Sequence, residues 1–153
     1  MTTYSTCTVT ATLVSGTAYS ALEIKTPATT GFTLRKWWVE FNGGSTTGTA
    51  LVQIGLFNSA VTTNTAGTVQ KVDWGIGGLA SQCTVGINAT AEGSGTFNAG
   101  GEQHYIPGNS SLDIWDPDAY CWQIPASSFW RIRITPAGTF SSVTAIVGAT
   151  WTE

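Results

Sequence analysis

Apolar residues recur at every second position along most of this chain. The clearest case is Phe129 to Thr135, where Trp130, Ile132 and Ile134 fall on one side and Arg131 and Arg133 on the other. Successive side chains of a β-strand leave opposite faces, so a period of two predicts a half-buried strand. Similar runs are Cys7 to Val14, Tyr19 to Lys25, Phe32 to Phe41, Ala50 to Phe57 and Val143 to Trp151. Shorter strand candidates are Val69 to Trp74, Thr84 to Ala91, Gln103 to Ile106 and Leu112 to Trp115. Turn signals separate them, among them Ser15-Gly16, Asn42-Gly43-Gly44, Pro107-Gly108-Asn109 and Pro136-Ala137-Gly138. No stretch has the apolar spacing of a three-turn helix. The pattern predicts an all-β, single-domain antiparallel β-sandwich spanning residues 1–153, with residues 1–15 as an N-terminal arm or edge strand.

In the run Phe32 to Phe41, the period places Arg35, Trp37, Val39 and Phe41 on one face. Leu34, Lys36, Trp38 and Glu40 take the other. Residues 58–101 read as an irregular insertion rich in Gly, Thr, Asn and Ser. Long connections of this kind often carry function or contact partners.

Charge is scarce: 10% of the 153 residues are charged, against about 25% in an average protein. With 42% hydrophobic residues the chain is not a disordered acidic segment. Six Lys and Arg in all argue against nucleic acid as a partner. No apolar run approaches the roughly 18 residues of a membrane span. The start MTTYSTCTVTATLVSG has neither a basic head nor an apolar stretch of signal length, so synthesis in a cytoplasm is expected.

Several strands are apolar on both faces, notably Ala50 to Phe57 and Val143 to Trp151. A monomeric two-layer sandwich leaves its outer faces polar. Two-sided apolarity with few Lys and Glu suggests contact with other subunits. Seven Trp residues sharpen this. Trp37 and Trp38 are adjacent in one strand and point to opposite faces, so one can fill the core while the other meets a neighbouring subunit or a second layer. Trp37, Trp38, Arg131, Arg133 and Trp151 are the interface candidates.

Catalytic and metal motifs are sparse. His104 is the one histidine, and pairing it with Cys121 gives a weak case for a hydrolase. Glu102 with the carboxylates of LDIWDPD gives an equally weak case for glycoside cleavage. Asp113, Asp116 and Asp118 are weak candidates for a cation site, against a solvated turn as the plainer reading. Cys7, Cys83 and Cys121 are widely spaced, odd in number and form no C-x-x-C pair, so they read as reduced thiols rather than zinc ligands. The glycosylation patterns at Asn88 and Asn109 read as chance matches in a Thr-rich chain. No cofactor motif is present, and no cofactor is expected.

The layout resembles the head decoration, or capsid-associated cement, proteins of tailed bacteriophages. The resemblance is carried by an opening Thr-rich strand, then TAYSALEIKTPATTGFTLRKWWVEFNGGSTTGTALVQI, the loop segment TAEGSGT, EQHYIPGNSSLDIW, and the closing SSFWRIRITPAGTFSSVTAIVGATWTE. It implies a jelly-roll-like β-sandwich that assembles as a homotrimer and attaches to the major capsid protein on the outside of the head. It implies no catalytic residues. The polar, β-prone segment Met1 to Thr10 is then a candidate for strand addition to a neighbour. The competing expectation is a carbohydrate- or receptor-binding module of a fibre or spike, using exposed Trp and the Asp113–Asp118 segment.

Overall fold

The computed structural model describes residues 1–72, 80–92, 95–98, 100–115 and 122–153, with the backbone alone at 45, 46 and 112–115. The first half of the chain supplies β1 (Thr3–Val9), β2 (Tyr19–Lys25), β3 (Phe32–Asn42), β4 (Ser45–Thr46) and β5 (Thr49–Phe57). The insertion carries β6 (Thr63–Ala66), β7 (Gln70–Lys71) and β8 (Thr84–Ala91). The second half supplies β9 (Glu102–Pro107), β10 (Ser111–Trp115), β11 (Trp122–Ile124), β12 (Phe129–Ala137), β13 (Phe140–Ser141) and β14 (Thr144–Thr152). Among the described residues there is no helix.

The pairing is nested. β1 pairs antiparallel with β14, β2 with β12, β3 with β10 and β5 with β9. Fold the chain about its middle and these pairs form one long hairpin, with the insertion at its tip. Rolling that hairpin brings β14 beside β3 and β12 beside β5. The result is a β-sandwich, with a sheet β10-β3-β14-β1-β7 facing a sheet β6-β8-β2-β12-β5-β9. Its nesting is that of an eight-stranded jelly roll, with β6 and β8 added beyond β2.

The inner faces hold the core. β12 contributes Trp130, Ile132 and Ile134, and β14 contributes Ala145, Val147, Ala149 and Trp151, all fully buried. Each large aliphatic or aromatic side chain among them stabilises the fold by about 1.5–3 kcal/mol relative to exposure. The alternation in Phe129 to Thr135 therefore reads correctly. The alternation in β3 does not hold throughout. Thr150 lies opposite Lys36, but Trp151 lies opposite Leu34, so Arg35 is an extra residue in a bulge. The bulge reverses the facing of what precedes it, and Leu34 joins Trp37 in the core instead of sharing a face with Trp38.

The N-terminal segment is a strand within the fold. β1 runs in register with β14 from Thr3 opposite Thr152 to Val9 opposite Ile146. Thr2 and Glu153 exchange backbone hydrogen bonds at its start. Past Val9 the chain continues alongside β14 less regularly, with Thr10 N–H donating to the Ala145 carbonyl and Leu13 N–H to that of Val143. Pairing begins earlier than Cys7 because Tyr4, 4% exposed, packs its ring 6.0 Å from that of Trp151.

The insertion adds β7 to the edge of the first sheet and has two further roles. Through β8 and β6 it widens the second sheet. It also crosses the outer face of β5 and β12. A Cβ built on Gly55, whose φ is +155°, would stand 2.9 Å from Gly101 Cα. Phe97 packs its ring 5.4 Å from that of Phe57. The Gly55–Phe57 end of the second apolar face of Ala50 to Phe57 is thus covered by the chain itself.

Candidate functional site

Three surfaces bear on function, and the fold sorts the sequence candidates among them. The first is the outer face of β2, β12 and β5. Arg131 and Arg133 leave β12 on this side, as the period requires. Arg131 is fully buried there. Its Nε donates to Glu23 Oε2 at 2.6 Å, and its Nη2 donates to the Ser59 carbonyl. Glu23 Oε2 also accepts the Val61 N–H at 3.0 Å. The Phe57 ring lies 4.6 Å from Arg131 Cζ and 4.7 Å from Arg133 Cζ. The charge survives in the interior because it is paired and hydrogen-bonded. Arg133 is half-buried and gives Nε and Nη2 to Gln53 Oε1, at 3.0 and 2.7 Å.

This corrects part of the interface set. Arg131, Trp37 and Trp151 are 0%, 3% and 0% exposed, so they present no surface to a neighbour. Arg131 holds the insertion down, while Trp37 and Trp151 fill the space between the sheets. Local periodicity cannot reveal a cover that arrives from residues 59–61, some seventy positions away.

The second surface is the outer face of β1, β14 and β3. The register sets Cys7 opposite Gly148, and Gly148 opposite Trp38. Trp38 is half-buried, and its ring lies on Gly148: any Cβ there would run into Trp38 Cζ2. Lys36 Nζ stands 5.4 Å from the centre of the Trp38 ring. One row along the sheet, Val9 is 55% exposed opposite half-buried Ile146. Cys7 is exposed and free, whereas Cys83 is free and buried in the core. Burial pushes the Cys83 thiol far above its ordinary range, and the nearby Glu153 carboxylate adds to this, which makes it unreactive. β7 covers the outer edge of β1 at Tyr4 and Ser5.

The third surface is the mouth of the sandwich, where β9 and the β10–β11 edge end their two sheets. β10 and β11 both pair with β3: Trp115 lies opposite Lys36 and Trp122 opposite Leu34. His104 Nε2 sits 2.9 Å from Glu102 Oε2, and its ring is 5.7 Å from that of Trp37. Both side chains of the pair are about one-third exposed. A cavity of about 470 Å³ is walled by residues of both sheets and of the insertion. β5 contributes Gly55 and Leu56 to its wall, β11 contributes Trp122 and Gln123, and the insertion contributes Asn98, Gly100 and Gly101. In the sequence Trp122 is one Trp among seven; only the pairing of β11 with β3 brings it to this cavity.

Asp116, Asp118, Cys121 and Trp74 lie outside the described residues. Asp113 is placed by register alone, opposite Trp38. Among the described residues no group of three or more His, Cys, Asp or Glu converges to hold a metal ion. His104 has Glu102 as its described hydrogen-bond partner, and its pairing with Cys121 falls outside the described residues. No family model, curated protein or solved structure matches the chain.

Proposed function

We propose that this chain is a non-enzymatic phage virion protein: a capsid decoration protein that forms a homotrimer and binds the outer surface of the head. The observation that carries this reading is the contrast between the two outer sheet faces. The insertion crosses the outer face of β5 and β12, and the Arg131–Glu23 pair anchors it. The outer face of β1, β14 and β3 instead carries exposed Val9 and half-exposed Ile146 and Trp38. Apolar side chains grouped on a sheet face mark a surface for other protein. The scarcity of charge fits the same role, because Lys and Glu are depleted in interface cores. A jelly roll braced by a buried ion pair is a rigid clamp, suited to holding capsid subunits together. The resemblance implies the trimer and the head as partner.

The test is a solution mass measurement followed by mixing with empty phage heads that lack their decoration protein. The expected result is a mass of three chains and sedimentation with the heads. The substitution Ile146→Asp places a charge on the proposed docking face and abolishes both while the melting temperature holds. A monomer that stays in the supernatant overturns the proposal.

A further inference from the structure

We infer that the cavity at the mouth of the sandwich is a binding site for a neutral saccharide. This goes beyond the head-binding role and does not depend on it. The cavity, about 470 Å³, falls within the range of small-molecule sites. Among the described residues its aromatic wall is Trp122, which is half-buried, with its body packed on the core and part of its surface open. A flat indole offers a stacking surface to the C–H face of a pyranose, which is apolar although its rim is hydroxylated.

The polar groups of the wall suit that rim. They are Asn98 and the backbone of Gly55, Gly100, Gly101 and Gln123, whose own amide is turned away and donates to the Thr33 hydroxyl at 3.0 Å. The Asn98 amide and the backbone groups together carry both donors and acceptors, as sugar hydroxyls require. The backbone around Asn98 is held firmly: Asn98 N–H donates to the Leu56 carbonyl at 2.9 Å, and Gly101 N–H donates to that of Asn98 at 3.1 Å. Asn98 is thus tied to β5, and Gly101 to Asn98, before a ligand arrives, which lowers the entropy cost of binding. Gly55 and Gly101 bring bare backbone to the wall, since a side chain at either would strike the neighbouring segment.

Other ligand classes fit less well. Among the described residues no Lys or Arg lines the cavity, so a phosphate or nucleotide would lack a counter-charge. A purely apolar ligand would bury the polar groups of the wall unpaired.

The experiment titrates the full chain with maltose, cellobiose, lactose and N,N′-diacetylchitobiose, with AMP as a control. Binding is followed by indole N–H resonances. At least one sugar should saturate with Kd of about 1 mM and shift the Trp122 resonance. Trp122→Ala should weaken it at least about tenfold. Gly100→Leu should block it with the fold intact, because a Cβ at Gly100 meets nothing within 4 Å and the new side chain fills open space. The melting temperature of each variant confirms that it is folded. The inference is overturned if no sugar saturates, if affinity is unchanged in either variant, or if AMP binds more tightly than every sugar.

Discussion

Replacing Arg131 with Met tests how the insertion is held. The change removes the 2.6 Å bond to Glu23, the bond to the Ser59 carbonyl and the guanidinium packed on Phe57. It leaves the Glu23 carboxylate, whose side chain is 6% exposed, with no counter-charge. Two unit charges about 4 Å apart attract by about 4 kcal/mol at an effective dielectric of about 20. Stranding one member of a buried pair costs about 3–5 kcal/mol. A domain of this kind has only about 5–15 kcal/mol of stability, so the single variant should fold marginally. The double variant E23Q/R131M should recover much of the loss. A glutamine amide in place of the Glu23 carboxylate would keep an acceptor for the Val61 N–H while removing the buried charge. What remains is the unpaired Ser59 carbonyl and the lost ring contact, about 1–2 kcal/mol. The coupling in the cycle R131M, E23Q and E23Q/R131M should then reach about 2 kcal/mol. Urea unfolding followed by Trp emission measures it, with an unchanged slope as the check on two-state behaviour. Hydrogen exchange at Val61 should quicken in R131M. A loss below about 1 kcal/mol in R131M, or effects that add within about 0.5 kcal/mol, would refute the reasoning.

Three further outcomes are expected. Gly148→Ala should drive the Trp38 ring off the sheet and cost about 1–3 kcal/mol, seen as a red-shifted Trp emission and a lower urea midpoint. A thiol reagent at neutral pH should label Cys7 in the folded chain and reach Cys83 only on unfolding, as peptide mass mapping would reveal. Glu153 concerns acid stability. Burial alone would raise its pKa, but hydrogen bonds from Ser81, Trp151, the Gln82 N–H and Cys83 outweigh it and hold it below the usual carboxylate value. A depressed carboxyl contributes stability above its unfolded pKa and loses it as pH falls through the folded one. Glu153→Gln should therefore lower the melting temperature at neutral pH, and the gap from the parent chain should close in acid.

Much of the strand content is legible in the linear pattern, and the reason is local. A strand carries its own burial signature, so Trp130, Ile132 and Ile134 announce their face without help from the rest of the chain. The signature fails where the backbone departs from regularity. Arg35 adds one residue to β3, and Leu34 changes sides. It also fails where a second layer arrives from far away. The arginines of β12 look like an exposed charged stripe until Ser59 and Val61 are found above them.

The order of residues, read alone, points to a chain that is all β, low in charge and provided with strands apolar on both faces. Which of those surfaces stay open depends on three dimensions. The nested pairing wraps the insertion over β5 and β12, leaves Val9 and Ile146 on the other sheet, and brings Trp122 to a cavity beside Gly55 and Gly101. The physical reason is that burial is a property of neighbours. Periodicity reports which side a residue faces, and only the packed chain establishes whether anything stands there.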